Sequence, residues 1–193
     1  MSTSSSSVDA AIVGGGVIGA SCAYFLARSG MKVVLLERGD IAAGASGGCD
    51  GNIMAQDHQP GYDTTLTMVS NRIFQRLKEE LDRDFEYSQK GSLLVIETEE
   101  EREFMLERMK QQIECGLPVR FVSREELYEQ EPLLAPGFLG AVECASDAAC
   151  MPIHLAVALA RGARHLGADV HTYEEVKAIS LDRQGCVAGL TTD

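Results

Sequence analysis

The segment from Val8 to Glu37, VDAAIVGGGVIGASCAYFLARSGMKVVLLE, constrains this chain more than any other. A mostly apolar run, Val8 to Val13, enters a glycine turn, and a helix-compatible stretch follows. A second apolar run, Val33 to Leu36, ends on an acid, Glu37. The glycines fall as Gly14-x-Gly16-x-x-Gly19, and each spacing has a physical use. Gly14 permits a tight turn off the first strand. Gly16 carries no Cβ to hold a diphosphate away from the backbone, and Gly19 lets the helix lie close to the strand. Unpaired N–H groups at the helix start, aided by the helix dipole, then face the phosphate charge. A carboxylate at the tip of the second strand can accept hydrogen bonds from ribose hydroxyls. An acid rather than a base at position 37 disfavours a 2′-phosphate, so NADP is not expected. The bland alternative is a βαβ unit with an ordinary glycine turn.

The 193 residues suffice for one domain, with room for a second to be begun. The net charge of -12 argues against nucleic acid or an anionic membrane surface as a partner. It names no substrate, because much of the acid sits in helical patches such as Glu97 to Glu103. No secretory signal or transmembrane run is readable. The six cysteines contain no C-x-x-C pair, which favours reduced thiols and a cytoplasmic setting over a disulfide framework or metal site.

Residues 1–7 read as a disordered polar leader. Residues 39–63 lack periodicity and read as a long loop, a length that is usually functional or disordered. Leu66, Val69, Ile73, Leu77 and Leu81 recur at helical spacing between Thr64 and Arg83. A hairpin is expected from Phe85–Gln89 and Ser92–Ile96 around Lys90-Gly91. Thr98-x-x-Glu101 has the form of a capping box opening a helix to about Glu114, and Ser123-x-x-Glu126 opens a shorter one stopped before Pro132. Phe138 to Glu143 reads as a strand. Pro152 suits the first turn of a helix to His165, capped by Gly167, and three short strands fill Asp169 to Thr192. The layout implies two interleaved modules: 8–60 with 145–193, and 61–144 between them. The fold class expected is α/β, a Rossmann-like βαβ domain interleaved with part of an α+β cap.

These segments together resemble the D-amino-acid-oxidase-like family of FAD-dependent oxidoreductases. Ala11 to Gly19 resembles its FAD fingerprint, and Val34 to Arg38 the strand after it. Ala43-Gly44-Ala45-Ser46-Gly47-Gly48 is similar to the small-residue loop that in the family runs beneath the flavin and its phosphates. Gln89 to Leu94 resembles the first strand of a substrate domain. Asp147 to Gly167 is similar to the return helix, and Glu175 to Ile179 to the strand after it. The resemblance implies FAD as cofactor, an amine or amino acid as small-molecule substrate, and oxidation by hydride transfer to flavin N5. It also implies that the backbone of Gly14, Gly15, Gly16, Val17 and Ile18, with Gly19 behind it, holds the diphosphate. Glu37 would meet the adenosine ribose, Arg38 the adenine region, and Gly44, Ala45 and Ser46 the diphosphate or ribityl chain. Val176 would meet the adenine edge through its backbone, and Cys49, Asp50, Gly51 and Asn52 would approach the flavin ring. No catalytic residue is identifiable, because the family's substrate-carboxylate ligands mostly lie beyond this chain's length.

Family members run on past the point where this chain stops, Thr191-Thr192-Asp193. A fragment or truncated product is expected, with a subunit completed by a partner chain as the alternative. An FAD-binding module without catalysis, or an NAD-binding Rossmann protein, are the rival functions; the glycine loop after Glu37 counts against the latter. Several tempting residues have plainer readings. Cys49 reads as a small side chain in a tight loop, Asp50 equally as a ligand or as a turn residue before Gly51, and His58 as a solvated loop histidine. His154 and His165 read as structural. Phe104, Met105 and Met109 read as helix packing, and Cys144 and Cys150 lack the partners of a metal site.

Overall fold

Ala10–Val13 and Val33–Glu37 are short and mostly apolar, and the second, VVLLE, has the composition of a strand covered on both faces. In the computed structural model, which describes residues 7–193, they are β1 and β2, joined by helix α1 (Val17–Arg28). The leader expected over residues 1–7 lies, apart from Ser7, outside the described residues. The chain continues through β3 (Asn52–Ile53), α2 (Tyr62–Glu80), β4 (Ser92–Ile96), α3 (Glu99–Glu114), β5 (Val119–Ser123) and α4 (Arg124–Gln130). It closes with β6 (Gly140–Cys144), β7 (Ala148–Ala149), α5 (Pro152–His165), β8 (Asp169–Thr172), β9 (Val176–Leu181) and β10 (Val187–Thr192).

Two compact units result. Among the described residues one comprises 7–50, 80–85 and 151–193; the other comprises 51–79 and 86–150. The first is built on a parallel sheet in the order β1-β2-β8, with Val13 opposite Leu36 and Glu37 opposite Thr172. The central strand β2 buries Val33 and Leu35 almost completely. Helices α1 and α5 pack together through small residues: Ala20, Ala23 and Ala27 on one, and Ala156, Ala160 and Ala163 on the other, all buried. A Cβ at Gly162 would stand 3.0 Å from the Tyr24 ring, so glycine there sets how closely the helices approach. Gly30 and Gly167 take left-handed φ of 89° and 94° just past the helix ends, the cap geometry expected of them. β9 and β10 form an antiparallel pair.

The second unit holds an antiparallel sheet in the order β4-β6-β5, in which β6 is buried along most of its length and takes a neighbour on each side. Met105 and Met109 of α3 pack against Ile96, Val119 and Val142, as expected of helix packing, whereas Phe104 is exposed. The Thr98–Glu101 capping box forms in both directions, and Ser123 accepts the Glu126 amide. The expected hairpin across Lys90-Gly91 does not form. Ser88 instead bridges Ala149, and β4 pairs with β6, because the buried β6 offers a longer matching edge than residues 85–89 do. β5, β3 and β7 were not anticipated, and the two-residue strands carry too short a pattern to read.

Candidate functional site: a cleft at the carboxyl ends of the parallel strands

Parallel α/β sheets place ligands beyond the carboxyl ends of their strands. Here the ends of β1, β2 and β8 meet a cleft of about 490 Å3, within the usual size range of small-molecule pockets. Its floor is Val13, Gly14 and Gly16. One wall is Leu36 to Gly39, another is Ala43 to Ser46, and Glu174 to Val176 form the third.

The glycine turn is fixed by its neighbours. Gly14 has φ +104° and donates its N–H to the Leu36 carbonyl at 2.8 Å, which ties the turn to the end of β2. A Cβ at Gly19 would fall into the Gly14 carbonyl oxygen, so the helix could not begin where it does with a larger residue. Gly16 is the N-cap of α1, and no side chain of its own caps the helix. The first N–H groups of a helix lack intrahelical partners, and one of them, on Val17, is donated to Ser46 Oγ at 2.9 Å. The Ala42 N–H is donated to the Gly15 carbonyl at 3.0 Å. The loop after β2 is thus pinned over the turn at two points.

Glu37 holds the opposite side. Its Oε2 accepts the Gly15 N–H at 2.6 Å and its Oε1 the Gly39 N–H at 2.8 Å. A carboxylate has about four acceptor positions, so each oxygen keeps room for a hydroxyl from a ligand. Two further acids, Glu174 and Glu175, line the cleft. Glu174 lies 3.4 Å from His171 Nδ1 and accepts Thr192 Oγ1–H at 2.8 Å, and Glu175 pairs with Lys177 at 2.7 Å. A phosphate at the α1 N-terminus would meet the main-chain donors of the first helical turn.

A family model described as FAD dependent oxidoreductase matches residues 9–193. The chain belongs to that family. It is 34% identical to a glycine oxidase of Geobacillus kaustophilus over 193 residues, covering 95% of this chain and 50% of that protein. The crystal structure of a glycine oxidase from Bacillus cereus superposes with a TM-score of 0.87 at 33% identity, covering 96% of this chain and 51% of the other. The mitochondrial pyruvate dehydrogenase phosphatase regulatory subunit of Mus musculus is 30% identical over 185 residues, covering 94% of this chain and 21% of that one. The chain spans about half the length of these glycine oxidases. The mixed α/β architecture is that of the family, and FAD is the family's cofactor.

The residues present fit such a cofactor. Gly16 presents bare backbone to the cleft, and a Cβ there would stand 2.9 Å from Ser46 Oγ, so glycine keeps that space open. Ser46 accepts from Val17, which leaves its hydroxyl proton to donate. Of the residues singled out in the sequence, Gly14, Gly16, Glu37, Arg38, Gly44, Ala45, Ser46 and Val176 line the cleft together. Gly15, Val17 and Gly19 support it from behind through the contacts above, and Ile18 is exposed on α1. Cys49 and Asp50 are exposed beyond the loop, with Cys49 Sγ 3.5 Å from the Ser46 carbonyl. Gly51 and Asn52 fall in the second unit and are not among the cleft residues. Sequence reasoning missed Glu174 and Glu175; their position directly before Val176 was the available signal. His58 is exposed, and His165 lies 3.7 Å from Asp82 away from the cleft.

Among the described residues no helix is long and apolar enough to cross a membrane, and no group of three His, Cys, Asp or Glu is placed to hold a metal.

Proposed function

We propose that this chain is the FAD-binding portion, with part of the substrate domain, of an oxidoreductase acting on an amino acid or secondary amine. The observation that carries the proposal is the cleft at the strand ends. It combines a bare Gly14–Gly16 turn, the α1 N-terminus and a doubly held Glu37. FAD, when bound, supplies the acceptor for a hydride leaving the amine-bearing carbon, which yields an imine that water hydrolyses. The backbone around Gly14 to Ile18, with its Val17 N–H held by Ser46 Oγ, and the Ser46 hydroxyl bind the diphosphate. Glu37 binds the adenosine ribose, and the Val176 backbone meets the adenine edge, with Arg38 nearby. Cys49 to Asn52 lead towards the flavin ring. The first unit is the nucleotide domain, and the second belongs to the substrate domain. The scattered spacing of the six cysteines, without a C-x-x-C pair, supports a reducing, cytoplasmic setting.

A second reading has its own support. One relative is a regulatory subunit, and the chain covers only half of the glycine oxidases. In that reading the chain is an FAD-binding module completed by a partner chain and silent alone.

Titration of the purified chain with FAD, followed by an amine panel with dye or oxygen as acceptor, tests both. A bound flavin spectrum with amine turnover supports the enzyme. A bound flavin without turnover supports the module, and no flavin binding rejects both.

A further inference from the structure

Tyr173 sits between β8 and β9 with φ +59°, a left-handed conformation that is an outlier for a bulky residue. Glycine would adopt it freely, so something must hold a tyrosine there. Its hydroxyl donates to Asp40 Oδ1 at 2.8 Å, its N–H to the Gly39 carbonyl at 3.3 Å, and the next N–H, of Glu174, to the Glu37 carbonyl at 2.9 Å. All three bonds join the same two short segments, 37–40 and 173–174. Both segments lead into walls of the cleft: Glu37 to Gly39 on one side, Glu174 to Val176 on the other. The ring itself is 72% exposed, so burial does not explain the conformation. At the left-handed turn the chain leaves the parallel sheet and goes on to line the cleft with Glu174 to Val176, and the phenol fastens that turn to Asp40.

We propose that Tyr173 is a positioning residue: its bond to Asp40 latches the Glu174–Val176 wall onto the Glu37–Gly39 turn and thereby controls how long a dinucleotide's adenosine end is retained. The proposal rests on the dinucleotide reading of this cleft. A solvent-exposed hydrogen bond such as this one, from a phenol to a carboxylate, corresponds to a several-fold effect on an equilibrium. Y173F and D40A should each release FAD about fivefold faster, and the double variant Y173F/D40A no faster than either alone, because they remove one shared contact. AMP, which carries only the adenosine end, should weaken by the same factor. Y173G should release FAD as Y173F does while keeping an undiminished thermal midpoint, since it relieves the backbone. In the apoprotein the Glu174 amide should exchange faster in Y173F than in wild type.

Release of FAD from Y173F at the wild-type rate, additive effects in the double variant, or unchanged Glu174 exchange would each overturn the latch. A wild-type chain that binds neither FAD nor AMP overturns the dinucleotide reading itself and the latch with it. Wild-type binding without a Y173F effect overturns the latch alone.

Discussion

The Glu37 carboxylate accepts the amide proton of Gly15 at 2.6 Å, across 22 residues of sequence. The acid at the end of one strand therefore builds the turn at the end of the other. It is a scaffold element, and the ribose role proposed for it draws on the lone pairs left over once the second oxygen is held by Gly39 at 2.8 Å.

This dual role gives the first prediction. In Glu37→Gln one carboxylate oxygen becomes an amide donor that opposes either the Gly15 N–H or the Gly39 N–H and leaves fewer acceptor positions for a ligand hydroxyl. Hydrogen bonds to charged groups contribute about 1.5–3 kcal/mol, so FAD affinity should fall about ten- to hundredfold. Flavin fluorescence titration measures it; affinity within twofold of wild type would remove Glu37 from the site.

Gly16 and Ser46 separate scaffold from ligand. A methyl at position 16 meets Ser46 Oγ at 2.9 Å, whereas Ser46 Cβ is 3.9 Å away. Gly16→Ala should thus lower stability by about 1–2 kcal/mol, an overpacking cost. In a Ser46→Ala background most of that added cost should vanish, although Ser46→Ala itself loses a cap of about 1 kcal/mol. FAD binding should stay weak in the double variant, because the methyl still covers the diphosphate backbone. Recovery of binding together with stability would show that Gly16 serves only the loop.

Much of this was readable in advance, for identifiable reasons. The β1-α1-β2 segment is legible because its constraints are local: a glycine with φ +104°, a helix start and a strand of five apolar and acidic residues are written within thirty positions. Likewise the Thr98 box and Pro152 at the start of α5 are local signals. The failed hairpin across Lys90-Gly91 shows the limit. Whether Ser92–Ile96 pairs with its neighbour or with Gly140–Cys144 depends on burial of β6, a property of residues nearly fifty positions away. In the third wall of the cleft Val176 was legible through the family resemblance, whereas Glu174 and Glu175 were hidden for the same reason. Glu174 gains its place only when β8 lands beside β2.

Gly19 and Gly14 should respond differently to the same substitution. At Gly19 a methyl strikes the Gly14 carbonyl, a backbone atom with nowhere to go, so Gly19→Ala should cost about 3 kcal/mol and shift the helix start. At Gly14 there is open space, and only the left-handed backbone is penalised, by about 1–2 kcal/mol. Thermal denaturation of both variants compares the costs. Equal losses would mean that the helix is free to slide away from the turn.

The second unit offers a test of the division of labour. Asp147 is fully buried and accepts the Ala55 N–H at 2.7 Å and the Ser92 hydroxyl at 2.7 Å, while Gln56 beside it donates to Ser92 and receives Gln112 at 2.7 Å on its carbonyl. These bonds fasten residues 55–56 to β4 and α3. Asp147→Ala leaves buried donors unsatisfied, at about 1–3 kcal/mol each, so the urea midpoint of this unit should drop by the equivalent of about 3 kcal/mol. If the first unit alone carries the dinucleotide cleft, the same variant should keep FAD affinity within twofold of wild type under folding conditions. A loss of affinity matching the loss of stability would mean that the cleft depends on the second unit, and the proposed assignment of nucleotide binding to the first unit would have to be abandoned.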